Sequence, residues 1–524
     1  MDSIVLLQAV AGVARAVRSL YGPNKLRKQV TDELDQTLFT ADTYTVASVL
    51  QSQNAGTAIL QQALDDQQKE FGTGCTTLVT LCGVLAETVL EMLRQGLPTD
   101  IIQQALSTVE KCSLITAKHM RVPLTEAIPS FQTLIWTRQL EALGLILGDK
   151  PIATSLAVKA AMRLDPVRFC DENVSLSDLV TAHVVLGGVT SAVSSQVFDG
   201  VLLPVVDAAP RNALWRRFFS NFEISITGGI VILAGDLDTL DFAANSSVRV
   251  IFVHGDVSTK VVDASISTPN APVCIPVSSY NSLIQLAEMS GAEIVDSWAE
   301  LLPSAIGCER LQLKSLERSV SGSQDEEVAS FFVQVILCNT GHQPHTSVIV
   351  QGPTKSLAEE LRSDTHKMIS RLRNTLRSGY VLPGNGGFWC ACAATVEQQA
   401  ESLDNQELLS FAAARLTDPL IQLGVILLEN SPGNDSFFSR LALIRRVQKR
   451  FIRSVQDVGA TKFYSRYYDY RNAQYAVLAL KTTEPESEDG RVFHVDEYKS
   501  MISAIRKSFR VIQLLLSIDR HHIN

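Results

Sequence analysis

The hydrophobic periodicity of this chain changes twice, and that change constrains its fold more than any other feature. Apolar residues recur at helical spacing over residues 4–20 and 78–93. The middle instead contains short runs rich in β-branched residues, of which 230–233 and 248–253 are typical of buried strands. Helical spacing returns from residue 356 onward. Because 524 residues exceed one ordinary domain, the pattern predicts a helical domain interrupted by a mixed α/β insertion.

The composition indicates a folded protein without a nucleic-acid partner. Hydrophobic residues make up 46% of the chain and charged residues 19%, which excludes global disorder. Acidic residues number 55 against 46 basic ones, so the formal net charge is −9. A chain of that charge does not surround a nucleic-acid backbone with a general basic field. Nine cysteines, scattered from Cys75 to Cys392, indicate reduced thiols in a cytosolic compartment rather than a disulfide framework.

The sequence predicts neither a secretory signal nor a membrane span. Residues 1–3 lack the basic region that opens a signal peptide, and Arg15 and Arg18 interrupt the apolar stretch that follows. The uncharged run at residues 179–198 contains His183, two glycines, three serines and a glutamine. Because about 20 predominantly apolar residues are needed to cross a bilayer, we expect a soluble intracellular protein.

A short segment rich in glycine and threonine precedes the helical run at 78–93. It comprises Gly72, Thr73, Gly74, Cys75, Thr76 and Thr77. Glycines let a backbone approach a phosphate, hydroxyl groups donate to it, and a following helix offers free N–H groups. The same composition also serves as an ordinary helix cap, and no lysine stands where a Walker A motif requires one. On this segment alone, both the phosphate-binding and the structural interpretation stay open.

Other short motifs follow one another in an order that matches a known family. They occupy residues 21–25 (YGPNK), 40–43 (TADT), 97–102 (LPTDII), 381–387 (VLPGNGG) and 427–434 (LLENSPGN). The middle of the chain adds 185–188 (VLGG), 289–295 (MSGAEIV) and 347–352 (SVIVQG). Together with the segment at 72–77, this series resembles the group II chaperonins, the family of the eukaryotic cytosolic chaperonin and the archaeal thermosome. The resemblance spans nearly the whole chain.

The resemblance implies a multidomain α+β protein of group II chaperonin architecture. A mostly helical equatorial domain would comprise residues 1–120 and 379–524, and a small intermediate domain would comprise residues 121–195 and 341–378. An α/β apical domain at 196–340 would bind partners. The implied partners are protein clients or complex subunits and other chaperonin-like subunits, and the implied cofactor is ATP with magnesium.

The resemblance also places a nucleotide site in the equatorial domain. Its counterparts in this chain are Gly22, Pro23, Asp42, the segment 72–77, Gly384, Asn385 and Gly386. Asp42 keeps the carboxylate of a family motif, but Thr73 stands where active members carry an Asp that helps to hold magnesium. Thr365 stands where active members have the Asp that positions the attacking water; Asp364 is adjacent, but one residue turns a helical side chain by about 100°. Trp389 replaces a usual Glu.

These substitutions predict a degenerate ATPase site. A neutral hydroxyl is a poor substitute for a carboxylate ligand of a hard cation, and phosphoryl transfer depends on the positioning of metal and carboxylates. We therefore expect weak or absent binding of ATP and magnesium, no catalytic residue and no turnover above background.

Cysteine and histidine pairs elsewhere do not predict a metal site. Cys390 with Cys392, and His342 with His345, lack further ligands at the spacing of a zinc site. Cys75 precedes a helix, where a thiol can have a lowered pKa. Because neither a histidine nor a second cysteine lies near it in sequence, it is interpreted as a substituted threonine.

A further departure from the family lies in the apical region. Only fourteen residues, 234–247, separate the two strand-like runs where group II members insert the helical protrusion that forms a lid. An α/β apical domain without the long protrusion is therefore expected. The degraded motifs and this deletion resemble the chaperonin-like proteins of the McKusick-Kaufman and Bardet-Biedl type, and residues 21–23 with Phe71 most resemble the McKusick-Kaufman member.

That branch implies a chaperonin-like assembly factor, which binds and holds partner subunits during assembly of the ciliary BBSome coat. The alternative is an ATP-dependent protein-folding subunit of a cytosolic chaperonin ring, in which Asp42 and Asp364 rescue magnesium binding and hydrolysis. The implied location is the cytoplasm and, within it, the centrosome or ciliary base.

Overall fold

The structure is a computed structural model. It describes residues 3–22, 24–31, 37–50, 54–128, 130–186, 191–205, 223–238, 247–261, 263, 271–318, 330–338, 344–384, 386–403, 406–430, 439–442, 444–446, 448–449 and 495–518. Contacts group the chain into two compact units, one formed by Met1–Thr154 with His366–Asn524 and the other by Ser155–Thr365. The second unit, called the inserted unit below, therefore interrupts the first in sequence. The narrower division into three domains stays a prediction.

The described helices follow one another along the chain in this order. They are α1 (Ser3–Val17), α2 (Thr43–Val49), α3 (Ala55–Phe71), α4 (Cys75–Arg94), α5 (Thr99–Met120), α6 (Leu124–Ala127), α7 (Trp136–Leu147), α8 (Pro151–Arg163), α9 (Pro166–Cys170), α10 (Leu176–Leu179), α11 (Tyr280–Ser290), α12 (Lys355–Ser378), α13 (Gly387–Glu401), α14 (Glu407–Arg415), α15 (Thr417–Glu429) and α16 (Tyr498–Ser517).

The described strands are grouped mainly in the middle of the chain. They are β1 (Lys28–Thr31), β2 (Thr37–Thr40), β3 (Val122–Pro123), β4 (Val180–Leu186), β5 (Gln196–Asp199), β6 (Val201–Val205), β7 (Glu223–Thr227), β8 (Ile230–Leu233), β9 (Val250–Val253), β10 (Val273–Pro276), β11 (Ile294–Val295), β12 (Arg310–Arg318), β13 (Ser330–Leu337), β14 (Thr346–Gly352), β15 (Tyr380–Pro383) and β16 (Val495–Glu497). The change from helical to strand periodicity predicted from the sequence is confirmed.

The first unit is built around packed helices. α1 and α4 approach so closely that a Cβ on Gly83 would lie 2.1 Å from the Cβ of Ala14, so only glycine fits there. α16 packs against α4, where the hydroxyl of Ser508 donates to the carbonyl of Leu78 over 3.1 Å. Phe509 is fully buried in the same core. The described part of the unit also contains the antiparallel pair of β1 and β2 and a sheet in the order β16-β15-β3.

The described residues of the inserted unit form three sheets. The first is parallel, in the order β10-β9-β8-β11, and its two central strands are buried at every residue, as expected where both faces are covered. α11 packs near this sheet and buries Leu283, Leu286 and Met289. The second sheet is antiparallel, in the order β6-β13-β12-β7. In the third, β14 pairs parallel with β4 and antiparallel with β5.

The connection between β8 and β9 is a parallel crossover. The two strands are neighbours with Ile230 opposite Val250, so β9 begins two residues later than the sequence pattern predicts. A crossover between parallel strands takes a dozen or more residues, and the connection contains only residues 234–249. Its first part returns to the sheet, because the N–H of Leu237 donates to the carbonyl of Asp256 over 2.9 Å. The connection is therefore close to the shortest length that a parallel crossover needs.

Three helical segments of the described chain are long and apolar enough to cross a membrane, judged by length and composition. They are Ser3–Leu20, Cys75–Arg94 and Glu407–Glu429. Most of the second and third lies buried inside the protein, so their apolar side chains form its core. The expectation of no membrane span, which was drawn from a different segment at 179–198, stays a prediction.

Candidate functional site

The glycine-threonine segment forms a tight turn between α3 and α4. Gly72 follows the last residue of α3 with φ +65°, and its N–H donates to the carbonyl of Gln68 over 2.9 Å. Gly74 directly precedes α4 with φ +91°. Both angles lie in the left-handed region, which glycine adopts at little cost. Residues 72–77 are called the phosphate loop below.

Side chains of the protein hold this turn in place. The side chain of Gln67 is completely buried, and its Nε2 donates to the carbonyls of Thr73 over 3.0 Å and Ser500 over 3.2 Å. A Cβ on Gly74 would lie 2.6 Å from that same Nε2, and a Cβ on Gly72 would lie 2.3 Å from the Oγ of Ser370. The glycines are therefore required by packing inside the chain, whether or not a phosphate binds.

The threonines of the phosphate loop are buried or half-buried, and one of them makes a hydrogen bond. Thr73 stands where the family's metal-holding carboxylate is expected, and it is only 8% exposed. The Oγ1 of Thr76 lies 2.8 Å from the Oγ1 of Thr43 at the start of α2, within hydrogen-bonding distance. Thr77 is half-buried. The turn therefore presents neutral groups at the position of a metal ligand.

Cys75 is a buried thiol. Its Sγ donates to the Oε1 of Gln68 over 3.5 Å and approaches the carbonyl of Leu64 at 3.9 Å. Burial raises the pKa of Cys75 to about 12, and the nearby carboxylate of Asp42 contributes to that rise. The thiol is therefore protonated at neutral pH, which agrees with its interpretation as a substituted threonine and contradicts a lowered pKa.

Asp42 is the carboxylate that the family motif retains, and protein donors occupy both of its oxygens. Its Oδ2 caps α2 by accepting from the N–H and the Oγ1 of Thr45, over 3.2 and 2.8 Å. Its Oδ1 accepts from the Nζ of Lys367 over 2.5 Å. The side chains of Asp42 and Lys367 are only 16% and 19% exposed. Burial acts to raise the pKa of Asp42, but Lys367 and Thr45 outweigh it and lower that pKa, so the carboxylate is ionised.

The second half of α12 packs against the phosphate loop. Lys367, Ser370 and Asn374 lie at helical spacings of three and four residues and therefore share one face of α12. The Nδ2 of Asn374 donates to the carbonyl of Phe71 over 2.9 Å, directly before Gly72. Sequence reasoning missed this face, although the polar residues at 367, 370 and 374 were a readable signal.

Thr365, the second position at which the resemblance predicts a lost carboxylate, also lies on α12. It is 1% exposed, and its Oγ1 donates to the carbonyl of Leu361 over 2.8 Å within the helix. Asp364 is half-buried. The hydroxyl of Thr365 is thus used by its own helix, as threonine hydroxyls in helices often are.

The second group of predicted residues surrounds Tyr21 and Trp389. The Nε1 of Trp389 donates to the hydroxyl of Tyr21 over 2.9 Å, and both side chains are buried. Gly22 has φ +101°, and Gly386, with φ +81°, directly precedes α13. Gly384 is buried. Pro23 and Asn385 lie outside the described residues.

Burial raises the pKa of Tyr21, so its hydroxyl is neutral. The indole of Trp389 therefore occupies buried space beside a neutral phenol. That a glutamate of the family corresponds to Trp389 stays a prediction. The contacts thus join α2, which Asp42 caps, to the phosphate loop, and they join Tyr21 to Trp389.

Magnesium does not fit the donors of this site. The ion prefers several oxygen ligands, among them one or two carboxylates. Thr73 is neutral, and both oxygens of Asp42 accept from protein groups. Among the described residues, no group of three or more His, Cys, Asp and Glu side chains could hold a metal ion.

The other pairs considered for metal binding are placed as follows. Cys390 and Cys392 are buried in α13, and burial raises the pKa of each thiol, that of Cys390 to about 12. The Nδ1 of His345 lies 3.0 Å from the carbonyl of Asp178, and His342 is outside the described residues. The expectation of no metal site stays a prediction.

Gly72→Ala is expected to destabilise the protein by about 2–3 kcal/mol, because the new Cβ meets the Oγ of Ser370 and the backbone angle is strained. Gly96→Ala is the matched control, since Gly96 also has positive φ, +84°, but no atom lies within 4 Å of the added Cβ. That control should cost about 1 kcal/mol. Urea unfolding measures both. Equal losses at the two positions would contradict the close packing of α12 on the phosphate loop.

Comparison with known proteins identifies the family. The model of the TCP-1/cpn60 chaperonin family matches residues 13–225 and 238–520. The chain belongs to the TCP-1/cpn60 chaperonin family. The family resemblance inferred from the ordered motifs, including the α+β chaperonin-like fold, is therefore confirmed. Its narrower branch, its domain boundaries and its site residues stay predictions.

Several curated chaperonin proteins are similar along most of the chain. T-complex protein 1 subunit theta of Arabidopsis thaliana is 21% identical over 453 residues, covering 79% of this chain and 77% of that protein. The theta subunit of Gallus gallus is 22% identical over 442 residues, covering 78% and 75%. Thermosome subunit 2 of Haloferax volcanii is 22% identical over 449 residues, covering 82% and 77%.

Proposed function

We propose that this chaperonin-family protein is an assembly factor, which binds and holds partner subunits without hydrolysing ATP. The observation that carries the proposal is that the phosphate loop and Asp42 offer no carboxylate oxygen without a protein partner. Thr73 supplies none, and Asp42, which does, is bound on one oxygen by Lys367 and on the other by Thr45. Phosphoryl transfer relies on metal ions and carboxylates to neutralise and position charge, and neither of these two positions offers a free carboxylate oxygen for that task.

The short apical connection supports the same proposal. Residues 234–249 join two neighbouring parallel strands, and a crossover of that kind consumes about a dozen residues. Little chain is left there for a helical protrusion that closes over a client. A lid and ATP hydrolysis both serve one step, the enclosure of a client. A protein that only holds its partners needs neither of them, so this role explains why both would be lost.

α11 is the partner-binding surface that we assign within the apical region. Its buried face contributes to the core, while Tyr280 and Ile284, one helical turn apart, are 50% and 47% exposed. Large apolar side chains that stand together on a surface are typical of interaction sites. Partner subunits of a larger complex would dock their own apolar segments here.

The narrower assignment is to the McKusick-Kaufman and Bardet-Biedl branch, with the BBSome as the assembled complex. It is supported by the motif departures at Thr73, Thr365 and Trp389 and by the short apical connection. Other chaperonin-like subunits would be partners alongside the client subunits. The cytoplasm and the ciliary base are the locations that this role requires.

The wild-type protein is expected to release no phosphate from magnesium-ATP above a protein-free blank, because the phosphate loop lacks a carboxylate for the metal. Single-turnover hydrolysis with radiolabelled ATP measures this directly. Partner retention, followed by mass spectrometry of co-purifying proteins, should be equal with and without ATP. Magnesium-dependent hydrolysis that disappears in Asp42→Ala would contradict the proposal.

An ATP-dependent subunit of a chaperonin ring is the second candidate. The similarity to T-complex protein 1 subunits and to a thermosome subunit favours it. In that case Asp42 and Asp364 would have to supply the missing carboxylate functions. The hydrolysis experiment decides between the two candidates, because only the second predicts turnover.

A further inference from the structure

The ion pair between Lys367 and Asp42 joins residues that are 325 positions apart in the chain. The ammonium of Lys367 lies 2.5 Å from Oδ1, and both side chains are more than four-fifths buried. Water therefore screens this pair less than an exposed one. A short, shielded contact of this kind places a full positive charge directly on the carboxylate.

The ammonium of Lys367 lies beside the elements that contact the phosphate loop. Asp42 caps α2, and α2 is joined to the loop where the hydroxyls of Thr43 and Thr76 meet. On the same face of α12, Ser370 contacts the turn at Gly72 and Asn374 binds the carbonyl of Phe71. One face of α12 thus carries the ammonium, on Lys367, and holds the turn beside it through Ser370 and Asn374.

From this geometry we infer that Lys367 of α12 determines which cation Asp42 binds. Its ammonium takes the place of a divalent cation on that carboxylate. The inference rests on the proposed function and deepens it, because it names what neutralises the remaining carboxylate. A covalently attached cation cannot be diluted or chelated. The protein therefore keeps the loop and α12 joined in the absence of any metal or nucleotide.

The inference predicts how the protein responds to a metal ion alone. Wild-type protein should neither bind Mn²⁺ at Asp42 nor change its unfolding temperature with Mn²⁺ or EDTA. Lys367→Met removes the charge but keeps most of the side-chain volume, which leaves a partly buried carboxylate without its cation. This variant should bind Mn²⁺ at least about tenfold more tightly than wild type, because Coulomb attraction to a buried carboxylate is strong.

Electron paramagnetic resonance titration of Mn²⁺ and thermal unfolding measure the two effects without nucleotide. The double variant Lys367→Met/Asp42→Asn tests whether Asp42 is the ligand of the ion. It should lose the Mn²⁺ binding that Lys367→Met acquires. Arg362→Met is the matched control on α12, because it removes an exposed ion pair with Glu359 and should leave Mn²⁺ binding as in wild type. Lys367→Arg, which retains a cation, should also behave as wild type.

Two results would overturn the inference. One is Mn²⁺ binding by wild-type protein that is lost in Asp42→Asn, and the other is a folded Lys367→Met that acquires none. If Lys367→Met does not fold, Lys367→Gln takes its place with the same readouts, and the wild-type measurement stays decisive. Hydrolysis of ATP by wild-type protein tests the proposed function separately, since no nucleotide enters the Mn²⁺ titration.

Discussion

Acidification from pH 7.5 to pH 5 is expected to lower the free energy of unfolding of the inserted unit by about 4 kcal/mol through two histidines. His183 lies on β4 opposite Ile349 of β14, and His345 immediately precedes β14. The Nε2 atoms of both are buried and have no hydrogen-bond partner among the described residues. Within that part of the chain, neither Nε2 therefore has an acceptor that would stabilise a second proton on its ring.

Burial lowers the pKa of each histidine from 6.5 to about 4. At His345 the hydrogen bond to the carbonyl of Asp178 opposes that shift, while the charges of His183 and Arg168 add to it. The unfolded chain therefore binds more protons than the folded chain between pH 6.5 and pH 4. The stability is fully present above pH 6.5, and it declines as the pH falls through that window, by about 2 kcal/mol for each histidine at pH 5.

The comparison that isolates these histidines is with His183→Asn/His345→Asn, in which the amide replacing the imidazole of His345 can still donate to the carbonyl of Asp178. Urea unfolding of both proteins at pH 7.5 and pH 5 measures the effect as a difference. The comparison is needed because Asp496, whose pKa burial raises to about 6, acts with the opposite sign and becomes more stabilising as the pH falls. If wild type and the double variant lose equal stability on acidification, the histidines are not responsible.

Thr365→Asp is expected to destabilise the protein by about 3 kcal/mol rather than to restore hydrolysis. Thr365 is 1% exposed, and its hydroxyl satisfies the carbonyl of Leu361 within α12. A carboxylate at this position must lose its hydration, and it cannot donate the one hydrogen bond that the hydroxyl makes. Thr365→Ser, which retains the hydroxyl, is the control and should stay within about 1 kcal/mol of wild type.

The combined variant Thr73→Asp/Thr365→Asp extends this prediction to function. It introduces a carboxylate at both positions where the resemblance predicts one, but Thr73 is also buried and Lys367 still neutralises Asp42. We expect a less stable protein without ATP turnover, measured by urea unfolding and by single-turnover hydrolysis. A stable double variant that hydrolyses magnesium-ATP would show that only the two carboxylates are missing, and it would favour the ATP-dependent candidate.

Much of the architecture followed from local patterns. The runs at 230–233 and 248–253 predicted buried strands, and β8 and β9 lie there with a shift of two residues at the start of β9. Local periodicity predicts such elements because burial of one face or of both faces repeats along the chain. The order of the short motifs predicted the family that the family model confirms.

The chemistry of the candidate site was only partly readable. The neutral side chains of Thr73 and Thr365 are read directly from the sequence. Their correspondence to carboxylates of the family, like that of Trp389 to a glutamate, stays a prediction. The partner of Trp389 could not be read from the sequence, because Tyr21 lies 368 residues earlier and the two side chains meet only in the folded chain. The thiol of Cys75 also needed the structure, since burial against α3 sets its pKa.

The sequence by itself therefore determined the kinds of secondary structure and the family, because residue identity and local spacing carry that information. It also predicts that two carboxylates of the family's site are absent. Only the tertiary structure decided what happens to the carboxylate that is left. Asp42 is neutralised by Lys367, which is 325 residues away, and the turn at Gly72 is held by Ser370 and Gln67. Such contacts depend on how distant helices pack, and no local pattern specifies the distance between two side chains on different elements.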